Sequence, residues 1–146
     1  MTDNKPLDEA QIRKLIEDKI EAVRAKNIDG ATTLYAPDVL SFDVVNALQY
    51  VGADAIRKRL TEWFAQFDGP IGFEIQDLTI TAGSEVAFSH SLDHVSATTV
   101  AGAKLDMWWR ETACYRKIDG KWLITHQHSS VPFNVETGKA SLDLQP

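Results

Sequence analysis

Apolar residues recur at three- and four-residue steps in the first part of the chain and at two-residue steps in the rest, which predicts helices followed by strands. From Leu7 to Asn27 the series Ile12, Leu15, Ile16, Ile20 and Val23 predicts an amphipathic helix with Asp8 as its cap. Asn27-Ile28-Asp29-Gly30 breaks the pattern. Ile28, Ala31, Leu34 and Tyr35 then predict a short second helix closed by Pro37. Val39 to Val45 is β-like, with a turn near Asn46 and a short strand from Leu48 to Val51. Gly52 opens a third helix in which Ile56, Leu60, Trp63, Phe64 and Phe67 form the apolar stripe, while Arg57, Lys58, Arg59 and Glu62 mostly face outward. Asp68-Gly69-Pro70 is its predicted stop. Four long strands follow, near 71–82, 85–99, 103–118 and 121–133, joined by Gly83-Ser84, Ala101-Gly102 and Asp119-Gly120. Strands at hairpin spacing imply an antiparallel meander that bends to cover three helices. The fold class is α+β, in one domain over residues 1–146 with 1–7 and 137–146 as polar tails.

The strongest local signal is the last hairpin, Glu111 to Pro132, ETACYRKIDGKWLITHQHSSVP. Asp-Gly between two β-rich runs predicts a tight two-residue turn. On the incoming arm Trp108, Arg110, Thr112 and Cys114 lie at period two, as do Ile124, His126, His128 and Ser130 on the outgoing arm. Each set therefore projects from one face, although a bulge in any long strand would exchange the two sets.

With 15 basic and 21 acidic residues, net −6, the chain lacks the basic surface that tracks phosphates, so nucleic acid is not an expected partner. The start, MTDNKPLDEAQ, predicts no secretory leader, and no apolar run reaches the roughly 20 residues that span a bilayer, so a cytoplasmic location and no membrane partner are expected. A single cysteine, Cys114, excludes an internal disulfide. Motifs for nucleotide, serine-hydrolase and zincin chemistry are absent.

The terminal hairpin, with its ET, DGKW and H-x-H-x-S, resembles that of the calcium/calmodulin-dependent protein kinase II association domain. It also resembles the SnoaL-like, ketosteroid-isomerase-like proteins of the NTF2-like superfamily, and the element order matches their cone from about Ile12 to Phe133. The resemblance implies three N-terminal helices packed in a strongly curved antiparallel sheet. It also implies a hydrophobic pocket, no cofactor, and a homodimer through the outer face of the sheet. One such fold hosts many chemistries, so function rests on the pocket.

Asp43 matches the position of the isomerases' catalytic base, and a carboxylate in an apolar cavity could move a proton beside a carbonyl. The same residue could instead be a solvated or turn-capping group. Those enzymes pair a helix tyrosine with a protonated acid on the penultimate strand; here Lys19 and Thr112 stand at these positions, with Glu111 one residue away.

His128 is the second candidate catalytic residue, as a proton shuttle, with His126 and Arg110 available to bind a carbonyl or anionic group. Buried histidines satisfied by backbone are the alternative. A metal would need a third ligand from His90, His94, Asp43 or Glu111, and none is expected. Tyr35, Trp63, His90 and Trp108 are the remaining cavity candidates, the tryptophans as flat walls for a ring. His90 aligns with an anion-site arginine of the association domain, while two further cavity arginines there fall on Ala113 and Ser129. The expectation is a cone that holds a small apolar or weakly anionic ligand, with an isomerase, cyclase or dehydratase activity based on Asp43. The alternative is a non-catalytic binding or assembly module.

Overall fold

The computed structural model describes residues 5–146. Residues 1–4 of the expected N-terminal tail lie outside them, and the chain from Lys5 is already helical. Helix α1 (Lys5–Arg24) buries Ile12, Ile16, Ala22 and Val23, as its stripe requires. Asp8 is not a solvent-facing cap. It is 3% exposed and accepts hydrogen bonds from Trp122 Nε1 at 3.1 Å and Lys117 Nζ at 2.6 Å, which tie α1 to the terminal hairpin.

Helix α2 (Ile28–Thr32) is capped by Asn27, whose side chain accepts from the Gly30 amide at 3.1 Å. It ends earlier than its apolar spacing predicts, because Tyr35 already opens strand β1 (Tyr35–Phe42). Pro37 therefore lies inside a strand. The register slips between Tyr35 and Leu40, so the residue without an amide hydrogen falls where the ladder is interrupted. β2 (Tyr50–Val51) pairs with β1, and α3 (Ala53–Phe64) follows. Phe67 begins β3 (Phe67–Ala82) rather than closing α3. Gly69 at φ +75° and a register shift between Asp68 and Gly72 form a bulge where a helix stop was expected.

β4 (Val86–Thr99), β5 (Lys104–Ile118) and β6 (Lys121–Ser130) complete one sheet of order β2-β1-β6-β5-β4-β3. At the last turn Asp119 and Gly120 both have positive φ, 51° and 81°, the geometry that Asp-Gly predicts. The sheet is antiparallel except between β1 and β6, which run parallel because α3 and three long strands separate them in the chain. One deviation in β6 decides where the functional side chains point. Tyr115 pairs with Ile124 but Cys114 pairs with His126, so Thr125 is an extra residue and the alternation inverts after it. Two apolar clusters fill the cone, one around Ile12, Tyr35, Val39 and Ile124, the other around Val23, Phe64, Ile71 and Val95.

Candidate functional site

A cavity of about 150 Å³ opens between these clusters and takes wall residues from both. Leu60 and Trp63 come from α3, Phe73 from β3, Val95 from β4, and Leu105, Met107 and Trp109 from β5. Its polar groups are concentrated at two places. Near the mouth, Asp43 follows the end of β1, and its Oδ2 lies 3.2 Å from Arg59 Nε while its Oδ1 accepts from the Val44 amide at 2.6 Å. Deeper, Lys19 Nζ of α1 stands 3.6 Å from Glu111 Oε1 of β5, and both also border a smaller void of about 20 Å³, so this pair forms the floor.

The floor continues behind Glu111. On the paired strands β4 and β5, Ser91 faces Glu111 and Asp93 faces Trp109, which makes Asp93 a diagonal neighbour of Glu111. Asp93 is fully buried and accepts from Ser91 Oγ at 2.7 Å. Burial, then the Glu111 charge and the hydrogen bond to Glu111, push its pKa up to about 10. Asp93 is thus held as a neutral acid beside the Glu111 carboxylate. Burial opposes the charge on Glu111, but the Lys19 ammonium and the Asp93 proton outweigh it and hold the carboxyl below its ordinary range. Burial likewise opposes the Lys19 charge, and the Glu111 carboxylate reverses this, keeping the ammonium protonated well above its usual range. To one side, Tyr35 OH donates to Gln127 Oε1 at 3.0 Å and Gln127 Nε2 donates to Ser41 Oγ at 3.1 Å, fixing an amide in the wall.

Of the residues singled out by sequence, Asp43, Tyr35 and Trp63 line this cavity. His90, Trp108, Arg110, His126 and His128 do not. The bulge at Thr125 turns Gln127 and Ser129 inward in place of the two histidines. His126 Nδ1 donates to the Leu40 carbonyl at 2.7 Å, and His126 and His128 both set ring edges against Phe42. His128 shares an outer groove with Asp43 and the 43–49 loop and is not among the residues that line the cavity. On β5 the inward set is Leu105, Met107, Trp109 and Glu111, which leaves Trp108 stacked on His94 outside at 4.4 Å and Arg110 donating to Ser130 Oγ. His90 is exposed beside Val86 and Phe88, whose own exposure marks an outer face and not a cavity wall. Among the described residues no group of three or more His, Cys, Asp or Glu is placed to hold a metal ion.

Arg59, Trp109 and Gln127 on the cavity and Asp93 behind it are groups that pattern reading passes over, while Lys19 enters it only as the residue at the isomerases' tyrosine position. Two carried a signal. Lys19 is in step with Ile12, Ile16 and Val23, and Arg59 is three residues after Ile56 and four before Trp63, so each is a charge inside an apolar stripe.

A model of the SnoaL-like domain matches residues 12–134. The chain belongs to the SnoaL-like family. This SnoaL-like protein is 34% identical to an NTF2-like protein of unknown function from Pseudomonas putida KT2440, with a TM-score of 0.88 over 97% of this chain and 98% of that one. A Xanthomonas campestris structure named for the calcium/calmodulin dependent protein kinase II association domain is 25% identical, with a TM-score of 0.71 over 82% and 84% of the two chains. A Novosphingobium aromaticivorans structure named for scytalone dehydratase shares the fold at 17% identity, TM-score 0.78, over 88% and 87%. No curated protein matches the sequence. The SnoaL-like chain has the NTF2-like cone, and no helix among its described residues is long and apolar enough to cross a membrane.

Proposed function

We propose that this SnoaL-like protein binds a small, largely apolar molecule carrying one carbonyl and moves a proton beside that carbonyl, without a cofactor. The observation that carries the reading is the placement of Asp43 and Lys19 on one apolar-walled cavity of about 150 Å³. A cavity of about that size takes a single ring about as large as benzene, so the substrate class is monocyclic.

Three of the groups on the wall have distinct roles. The Lys19 ammonium sits at the long edge of hydrogen-bonding distance from Glu111, which leaves donors free to turn to a carbonyl oxygen. A cation there stabilises the enolate oxygen that forms when the adjacent carbon loses its proton. Asp43 takes that proton as carboxylate and returns it as the acid to another carbon of the same molecule, so the reaction is an isomerisation with no net change of protons. Arg59 holds the Asp43 carboxylate in place at the mouth.

The test is a ligand-shift screen with cyclic ketones and hydroxy-aromatics, followed by turnover of the compounds that bind. Asp43→Asn is expected to lower turnover on the order of a hundredfold or more. Equal turnover in the two proteins would remove Asp43 from the mechanism.

A further inference from the structure

The cavity holds two buried-side cations and two carboxylates in matched pairs, Lys19 with Glu111 at 3.6 Å and Arg59 with Asp43 at 3.2 Å. Each cation faces one carboxylate, although Arg59 Nε makes no hydrogen bond. A third carboxyl, Asp93, stands behind Glu111, buried and with Oδ2 making no hydrogen bond. Around these pairs the wall is apolar, chiefly Trp63, Phe73, Met107 and Trp109.

From this arrangement we infer that the cavity selects a neutral ring and rejects an anionic one, and that the selection is made by the negative charge which Glu111 places beside Lys19. The ligand position is that of the proposed function, on which this inference rests. An entering carboxylate would be desolvated beside cations whose charge is already cancelled, with Glu111 and Asp43 close enough to repel it. A neutral carbonyl can accept from Lys19 without disturbing either pair.

Asp93 is the diagonal neighbour of Glu111 across β4 and β5, so the variant that leaves Lys19 with no carboxyl beside it removes both groups.

Benzamide and benzoate test this, because they match in shape and differ in charge. Titrations at pH 7 should show wild type binding benzamide at least tenfold more tightly than benzoate. Glu111→Gln with Asp93→Asn should reverse that order by tenfold or more. Should the double variant fail to fold, Lys19→Met serves: benzylammonium should then gain at least tenfold over wild type. Benzoate equal to or tighter than benzamide on wild type overturns the inference, as does an unreversed order in the folded double variant or binding of neither compound at millimolar concentration. In the Lys19→Met arm, no gain for benzylammonium overturns it. Since binding is read and not turnover, unchanged turnover in Asp43→Asn would end the proton-transfer reading and leave this order intact. A wrong order would refute the selectivity alone.

Discussion

Replacing Asp93 by Asn should make this protein more stable as the pH rises, although Asp93 is a fully buried, hydrogen-bonded core residue. In the folded chain Asp93 keeps its proton up to about pH 10, because burial and the neighbouring Glu111 charge disfavour its ionised form. In the unfolded chain the same carboxyl ionises near its ordinary 3.8. Between these values the folded state binds one proton more than the unfolded state, so stability falls as pH rises, by about 1.4 kcal/mol per unit for a full proton. From pH 5 to pH 8 this accumulates to as much as about 4 kcal/mol, a large part of the roughly 5–15 kcal/mol that holds a domain together. Glu111 is held below its ordinary range and Lys19 above it, so neither adds slope in this window. Asn fills the same space and can accept from Ser91 through its carbonyl oxygen, but has nothing to ionise. Urea denaturation at pH 5, 6.5 and 8 at constant ionic strength should show the variant gaining on wild type at each step. Parallel pH profiles for the two proteins would refute the neutral-acid assignment.

Two further outcomes are expected on the outer face. Burial works against the charge of His94, but hydrogen bonds to Asp106 at 2.8 Å and Glu74 at 2.7 Å outweigh it and raise its pKa. Its stabilising effect is then fully present below about pH 6.5 and lost as pH rises through the raised value, so His94→Gln should lower Tm more at pH 5.5 than at pH 8.5, read by circular dichroism. We also expect a homodimer through this face, where Val86 and Phe88 leave 59% and 46% of their surface exposed. Light scattering should give twice the chain mass for wild type and the single mass for Phe88→Glu; a monomeric wild type would refute it.

The chain's periodicities determine its helices, its long strands and its last turn, because each depends on neighbours within a few residues. The stripe of α1 and the Asp119-Gly120 turn fold as their sequence predicts. A one-residue excess at Thr125, by contrast, leaves no mark in the local pattern, since it arises from how β5 and β6 register against each other and against β1. That single residue sends His126 and His128 to the outside and brings in Gln127 and Ser129. The floor of the cavity was hidden for a related reason. Lys19, Asp93 and Glu111 come from three elements far apart in sequence, and only the closed cone sets them beside one another, where low dielectric surroundings let one charge decide the protonation of the next. Local sequence settles where an element runs, whereas which of its faces meets the hollow, and what charge it carries there, is settled by long-range packing.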